Sequence, residues 1–128
     1  MNKILQGIAE ASLGPAAADT TGTLEGRYLF AGSFAGFAGH FPEYPILPAI
    51  VEILTAVALV GEGAGRRQRL VAVEDAKFLA PVRPDQELTV RCKPRTVKGK
   101  PLHEAHLTVG ETTAAILLLE LVPFEELP

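Results

Sequence analysis

The sequence predicts an α+β domain in which one antiparallel sheet wraps a single long, buried helix. The run Ala49 to Val60 is twelve residues long and apolar on nearly every face apart from Glu52 and Thr55. A helix that is apolar all round is a buried one. Beyond it, four strand-like segments follow one another with only turn residues between them, as in a β-meander. With 128 residues, 48% of them hydrophobic, the chain has enough apolar material for one proper core. Residues 1–128 are accordingly expected to be a single domain, with 1–21 as an N-terminal helix-and-loop extension.

In chain order, residues 3–11 predict a short helix with Ile4, Leu5 and Ile8 on one side. Pro15 and the Ala-Ala-Ala-Asp-Thr-Thr-Gly stretch after it predict a loop. A strand is expected from Thr23 to Ala31. Gly32, Gly36 and Gly39 then punctuate any regular element up to Phe41. Pro42, Pro45 and Pro48 impose an extended arm, because each fixes its own φ and steers its predecessor away from helix. Pro48 also suits the first turn of the following helix, where a missing N–H is harmless. Gly61, Gly63 and Gly65 are expected to end that helix. Strands are expected at 69–79, 86–97, 102–109 and 112–122. In 86–97, Leu88, Val90 and Cys92 alternate with polar neighbours, and Pro94 demands an edge or a bulge. Gly110-Glu111 fits a two-residue hairpin turn with glycine first. The unbroken run from Ala114 to Leu119 predicts a strand that is central or covered on both faces.

Several classes of function are excluded. The net charge of −3 argues against a nucleic-acid binder. Cys92 is the only cysteine, so neither an intrachain disulfide nor a metal site built on cysteines is available. Met1 to Gly14 lacks the apolar block of a signal peptide, and the Ala49–Val60 run is shorter than the roughly 20 residues of a bilayer span. A soluble, cytoplasmic protein without cofactor or metal is expected.

The chemistry lies in Gly39-His40-Phe41-Pro42-Glu43-Tyr44-Pro45-Ile46-Leu47-Pro48-Ala49. An imidazole stands just before a rigid arm that feeds a helix. Histidine moves protons near neutral pH, and a helix N-terminus offers free N–H groups to a carbonyl oxygen. Taken alone, His40 is either such a base or a loop residue among aromatic neighbours.

Gly39-His40-Phe41-Pro42 followed by Pro45-Ile46-Leu47-Pro48 resembles the signature of the 3-hydroxyacyl-acyl-carrier-protein dehydratases. The block from Ala76 to Leu88 resembles their sheet segment after the helix, and Lys98 to Leu107 follows the next turn and strand. The likeness spans about residues 24 to 122. The short N-terminus and Gly26-Arg27-Tyr28 resemble the aryl-polyene-type branch. This resemblance implies a hot-dog fold and a homodimer, or a higher assembly of dimers, with active sites at the subunit interface. It also implies an acyl carrier protein with a phosphopantetheine-linked acyl chain as partner, in fatty-acid or polyketide biosynthesis. By the same resemblance His40 is the base that removes the α-proton, and Ala49 stands where a glycine N–H binds the thioester carbonyl. Phe41, Pro48, Ala49 and Leu54 are the implied substrate-binding positions, Leu54 on an apolar tunnel beside the helix.

One position departs. The family carries an aspartate or glutamate fourteen residues after the histidine, and here that residue is Leu54. Glu52 is the nearby carboxylate, but two residues correspond to roughly 200° of helix rotation. Glu52 is nevertheless a candidate catalytic group. Two readings follow: a dehydratase acting on 3-hydroxyacyl thioesters of acyl carrier protein or coenzyme A, or a non-catalytic or partner-dependent acyl-thioester-binding subunit. Thioester hydrolysis is a third. Thr55 is expected to bond its own helix backbone. His103 and His106 differ by three and fall on opposite strand faces. Arg66, Arg67 and Arg69 form a basic cluster suited to a phosphate or to a solvated turn.

Overall fold

The computed structural model describes residues 3–37 and 44–124. Helix α1 (Lys3–Ala11) leads into strands β1 (Ala17–Ala18) and β2 (Leu24–Leu29). The long helix α2 (Ala49–Ala64) follows, then β3 (Gln68–Phe78), β4 (Glu87–Val97), β5 (Lys100–Val109) and β6 (Thr112–Pro123). The six strands form one antiparallel sheet in the order β1-β2-β4-β5-β6-β3. Between β2 and β3 the chain crosses the sheet through α2, which lies against its inner face. This is the hot-dog arrangement.

The second-half strands follow the alternation in the sequence. Leu88, Val90 and Cys92 of β4, Ala105 and Leu107 of β5, and Ala115, Leu117 and Leu119 of β6 are buried beneath α2. Ile116 and Leu118 of β6 are half-exposed on the outer face, so the apolar run from Ala114 is a central strand with one buried side. Val97 and Lys100 pair across a Lys98-Gly99 turn with φ of 51° and 78°, the left-handed pair that a tight hairpin requires. Val109 and Thr112 pair across Gly110-Glu111, with glycine at φ 59°. Pro94 is tolerated because β2 ends opposite Cys92, leaving β4 a neighbour on the β5 side alone at that level.

Four expectations are corrected. The stretch after Pro15 is not all loop: Ala17 and Ala18 pair with Glu25 and Leu24. Ala35–Phe37 forms a turn of 3₁₀ helix inside the glycine-rich segment. The long helix does not end at Gly61 but runs to Ala64, and Gly65 closes it at φ 68° with its N–H on the Glu62 carbonyl. Gly63 is retained inside because a Cβ there would collide with the Leu24 side chain; Gly26 of β2 likewise makes room for Leu59, whose Cδ1 lies 2.7 Å from where a Cβ would sit. These two reciprocal contacts bring α2 close to β2. Finally, α2 is not covered all round. Val51, Ala56, Leu59 and Val60 are buried, whereas Ile50 is 53% exposed, Ala58 is exposed and Leu54 is half-exposed. Among the described residues, no helix is long and apolar enough to cross a membrane.

Glycine in a helix interior is worse than alanine by about 1 kcal/mol, yet Gly63→Ala is expected to lower stability, because Leu24 must move. Adding Leu24→Ala should remove part of that loss, with a coupling of roughly 0.5–3 kcal/mol in a urea-melt double-mutant cycle. Simple additivity would show that the two residues do not constrain each other.

Candidate active site at the N-terminus of the central helix

The arm that enters α2 is anchored at two points. The Leu47 N–H donates to the Val82 carbonyl at 2.7 Å, and the Arg83 guanidinium lies 3.7 Å from the centre of the Tyr44 ring. Pro48 is the N-cap, with extended backbone (φ −62°, ψ 149°) and no side-chain cap. Its carbonyl accepts from the Val51 and Glu52 N–H groups at 3.0 and 3.3 Å. The Ala49 and Ile50 N–H groups meet no acceptor among the described residues. Both remain available to an outside oxygen at the positive end of the helix dipole. Ala49 has negative φ, so an alanine is unstrained here.

Beside this helix end is a cavity of about 300 Å³, lined by Ile46, Leu47, Ala49, Glu52 and the stretch from Phe78 to Pro81. Glu52 is the ionisable residue of that lining. It is 4% exposed, and its Oε1 has no hydrogen-bond partner among the described residues. Burial pushes its carboxyl up from 4.5 to about 7. Leu54 lies elsewhere, in a groove of about 620 Å³ between α1, the C-terminal half of α2 and the Arg66-Arg67 turn. Glu52 and Ala49 therefore share a cavity that Leu54 does not enter. His40, Phe41 and Glu43 lie outside the described residues; Pro48 is half-buried at the cap. Phe78, Leu79, Ala80 and Pro81 form a cavity wall that the sequence reading treated as strand and connection. The apolar pair before Pro81 was the available signal.

The remaining candidates are accounted for locally. Thr55 donates to the Val51 carbonyl at 2.7 Å, the backbone bond expected of it. His106 Nε2 lies 2.8 Å from Glu104 Oε2, while His103, at odd register with Ala105 and Leu107, is on the other face with its Nδ1 unpartnered. Arg67 stacks on Phe124 at 4.9 Å, and Arg66 and Arg67 border the larger groove. The Cys92 thiol is buried and pushed up to about 12. Among the described residues no cluster of metal-ligating side chains occurs.

A sheet wrapped around a helix whose N-terminus opens on a cavity defines a hot-dog protein. Residues 17–115 match the ApeI-like family, described as ApeI dehydratase, and the chain belongs to that family. The 3-hydroxyacyl-acyl-carrier-protein dehydratase FabZ of Granulibacter bethesdensis is 33% identical over 44% of this chain and 39% of its own length. The FabZ of Alkalilimnicola ehrlichii is 29% identical over 62% of this chain and 58% of its own. The chain thus spans about two fifths to three fifths of these curated relatives. Among solved structures, the dehydratase heterocomplex ApeI:P from Xenorhabdus doucetiae matches with a TM-score of 0.73 at 18% identity, covering 86% of this chain and 95% of that one. The Escherichia coli PaaI protein of the phenylacetic acid degradation operon matches at 0.64 and 16% identity, over 91% and 88%. Both establish the fold.

A carboxyl held neutral by burial makes stability depend on pH. The unfolded group ionises near 4.5 while the folded one keeps its proton to about 7, so the folded state binds more protons in between. Stability therefore falls as pH rises from 4.5 to 7 and stays reduced above. Glu52→Gln, neutral throughout, should match wild type at pH 4 and exceed it at pH 8 by up to about 3 kcal/mol. Denaturant melts at both pH values measure this; an equal difference at each would mean that the folded carboxyl titrates normally.

Proposed function

We propose that the protein dehydrates a 3-hydroxyacyl thioester carried on the phosphopantetheine arm of acyl carrier protein. His40 is the base that removes the C2 proton, and the Ala49 N–H holds the thioester carbonyl. The observation that carries this reading is the Ala49 N–H, without an acceptor among the described residues, beside a largely apolar cavity and nine residues beyond the histidine of a family motif. Hydrogen bonding there stabilises the enolate oxygen that develops as the proton leaves. Membership of the ApeI-like dehydratase family supports the same chemistry. By the family resemblance Phe41 and Pro48 are further substrate-binding positions, whereas Leu54 borders a separate groove.

His40→Ala should lower the rate of enoyl-thioester formation from 3-hydroxybutyryl-acyl carrier protein by roughly 10²–10⁴-fold. Absorbance of the conjugated product reports it. Wild-type protein that releases free thiol instead of forming the enoyl product would replace dehydration with thioester hydrolysis.

The active unit is a dimer. Ile50, Val71, Val73, Phe78 and Leu79 are 42% to 59% exposed along the outer side of α2 and the open edge of β3. An apolar sheet edge of this kind is one that proteins cover. A second copy placed edge to edge would cover both at once. A partner-dependent subunit is the second reading, favoured by the vacated acid at Leu54 and by the heterocomplex reported for the ApeI:P dehydratase. Light scattering should give a dimer for wild type and a monomer for Val71→Lys/Val73→Lys. A wild-type monomer would favour the heteromeric reading.

A further inference from the structure

We propose that Glu52 is the acid of this site, delivering the proton with which the 3-hydroxyl group of the substrate leaves as water. The inference rests on the dehydratase reading and adds to it the residue that replaces the vacated position 54. Glu52 follows Ala49 by three residues, so the two lie on one face of α2. Helical side chains lean towards the N-terminus, which directs the carboxyl towards the free N–H groups. It is 4% exposed and its Oε1 has no partner among the described residues, yet it borders a cavity of about 300 Å³. A carboxyl left unsatisfied in an apolar wall has no structural use, since a glutamine or leucine would fill the space at lower cost.

The walls explain how it keeps a proton. Ile46 and Leu47 from the entering arm, Phe78 from β3, and Leu79, Ala80 and Pro81 beyond it present no charged side chain. Thr55, one turn further along α2, is committed to the Val51 carbonyl. Desolvation raises the group, and among the described residues no cation acts on it to stabilise the ionised form. A neutral carboxylic acid is the form a proton donor must have.

The step balances. His40 takes the C2 proton, and the C–H electron pair becomes the C2–C3 double bond. The C3–O bond breaks, and the departing oxygen takes the Glu52 proton to leave as water. Proton exchange with solvent returns His40 to its neutral form and Glu52 to its protonated form. The products are one enoyl thioester and one water, with no oxidant or reductant needed.

The test compares wild type, Glu52→Gln, Glu52→Asp and His40→Ala in dehydration of 3-hydroxybutyryl-acyl carrier protein between pH 5 and 9. Glu52→Gln is expected to fold at least as stably as wild type, to lose roughly 10²–10⁴-fold in kcat with little change in KM, and to lose the fall in rate above pH 7. Glu52→Asp should recover part of the loss. Glu52→Gln as fast as wild type beside an inactive His40→Ala would overturn the role of Glu52 and leave the dehydratase standing. So would a slow Glu52→Gln that keeps the alkaline fall. Wild-type protein without activity overturns both.

Discussion

A single twisted sheet can cover only one side of a helix, and α2 carries apolar residues on more than one. The structure answers this by pressing Val51, Ala56, Leu59 and Val60 into the sheet. The reciprocal notches at Gly26 and Gly63 bring the helix close to β2. The opposite side, from Ile50 through Leu54 to Ala58, is left open, and β3 offers an open edge beside it. The depth of the helix in the sheet sets where its N-terminus opens. The uncovered remainder, Ile50 with Val71, Val73 and Phe78 of β3, is apolar surface that this chain leaves exposed.

Seating also decides which residues of the helix can act. Register along α2 sends Glu52 to the cavity beside Ala49 and Leu54 to the larger groove beside α1. The arm before the helix is pinned through Leu47 to Val82 and through Tyr44 to Arg83, so the β3–β4 connection supports the helix end. Charge pairs contribute little to this architecture. Arg91 with Glu25 at 2.7 Å and Arg95 with Glu104 at 2.8 Å cross the outer face, where about half of each arginine is exposed. Exposed pairs of that kind are worth at most about 1 kcal/mol.

Much of the fold was legible because the signals were local and repeated. Alternation over Leu88, Val90 and Cys92, glycine at the β5–β6 turn and prolines before α2 each act within a few residues. What escaped depended on distant partners. Gly63 looks like a helix stop until Leu24, thirty-nine residues earlier, is found to occupy its missing Cβ. Ala17 and Ala18 carry no strand pattern and pair because the turn at Gly22 returns β2 alongside them. Near the site, the start of α2 at Ala49 was legible from the prolines before it. The burial of Glu52 was not, since an acid in a helix's first turn is equally at home in water.

That ambiguity bears on how a fold retains or loses a reaction. A protein kept only as a scaffold has no reason to hold an unpartnered carboxyl in its apolar interior, and α2 would be more stable without one. Here the position that borders the larger groove is filled by leucine, which adds apolar surface to its wall. The position beside the N–H groups of the helix end is filled by Glu52, among the described lining residues the one able to exchange a proton. Moving an acid by two residues changes its direction by roughly 200° but leaves it within the same first turns of the helix. The Ala49 and Ile50 N–H groups at the helix end meet no acceptor among the described residues. Along α2, burial keeps the Glu52 carboxyl protonated to about 7, while Leu54 leaves the direction of the larger groove apolar.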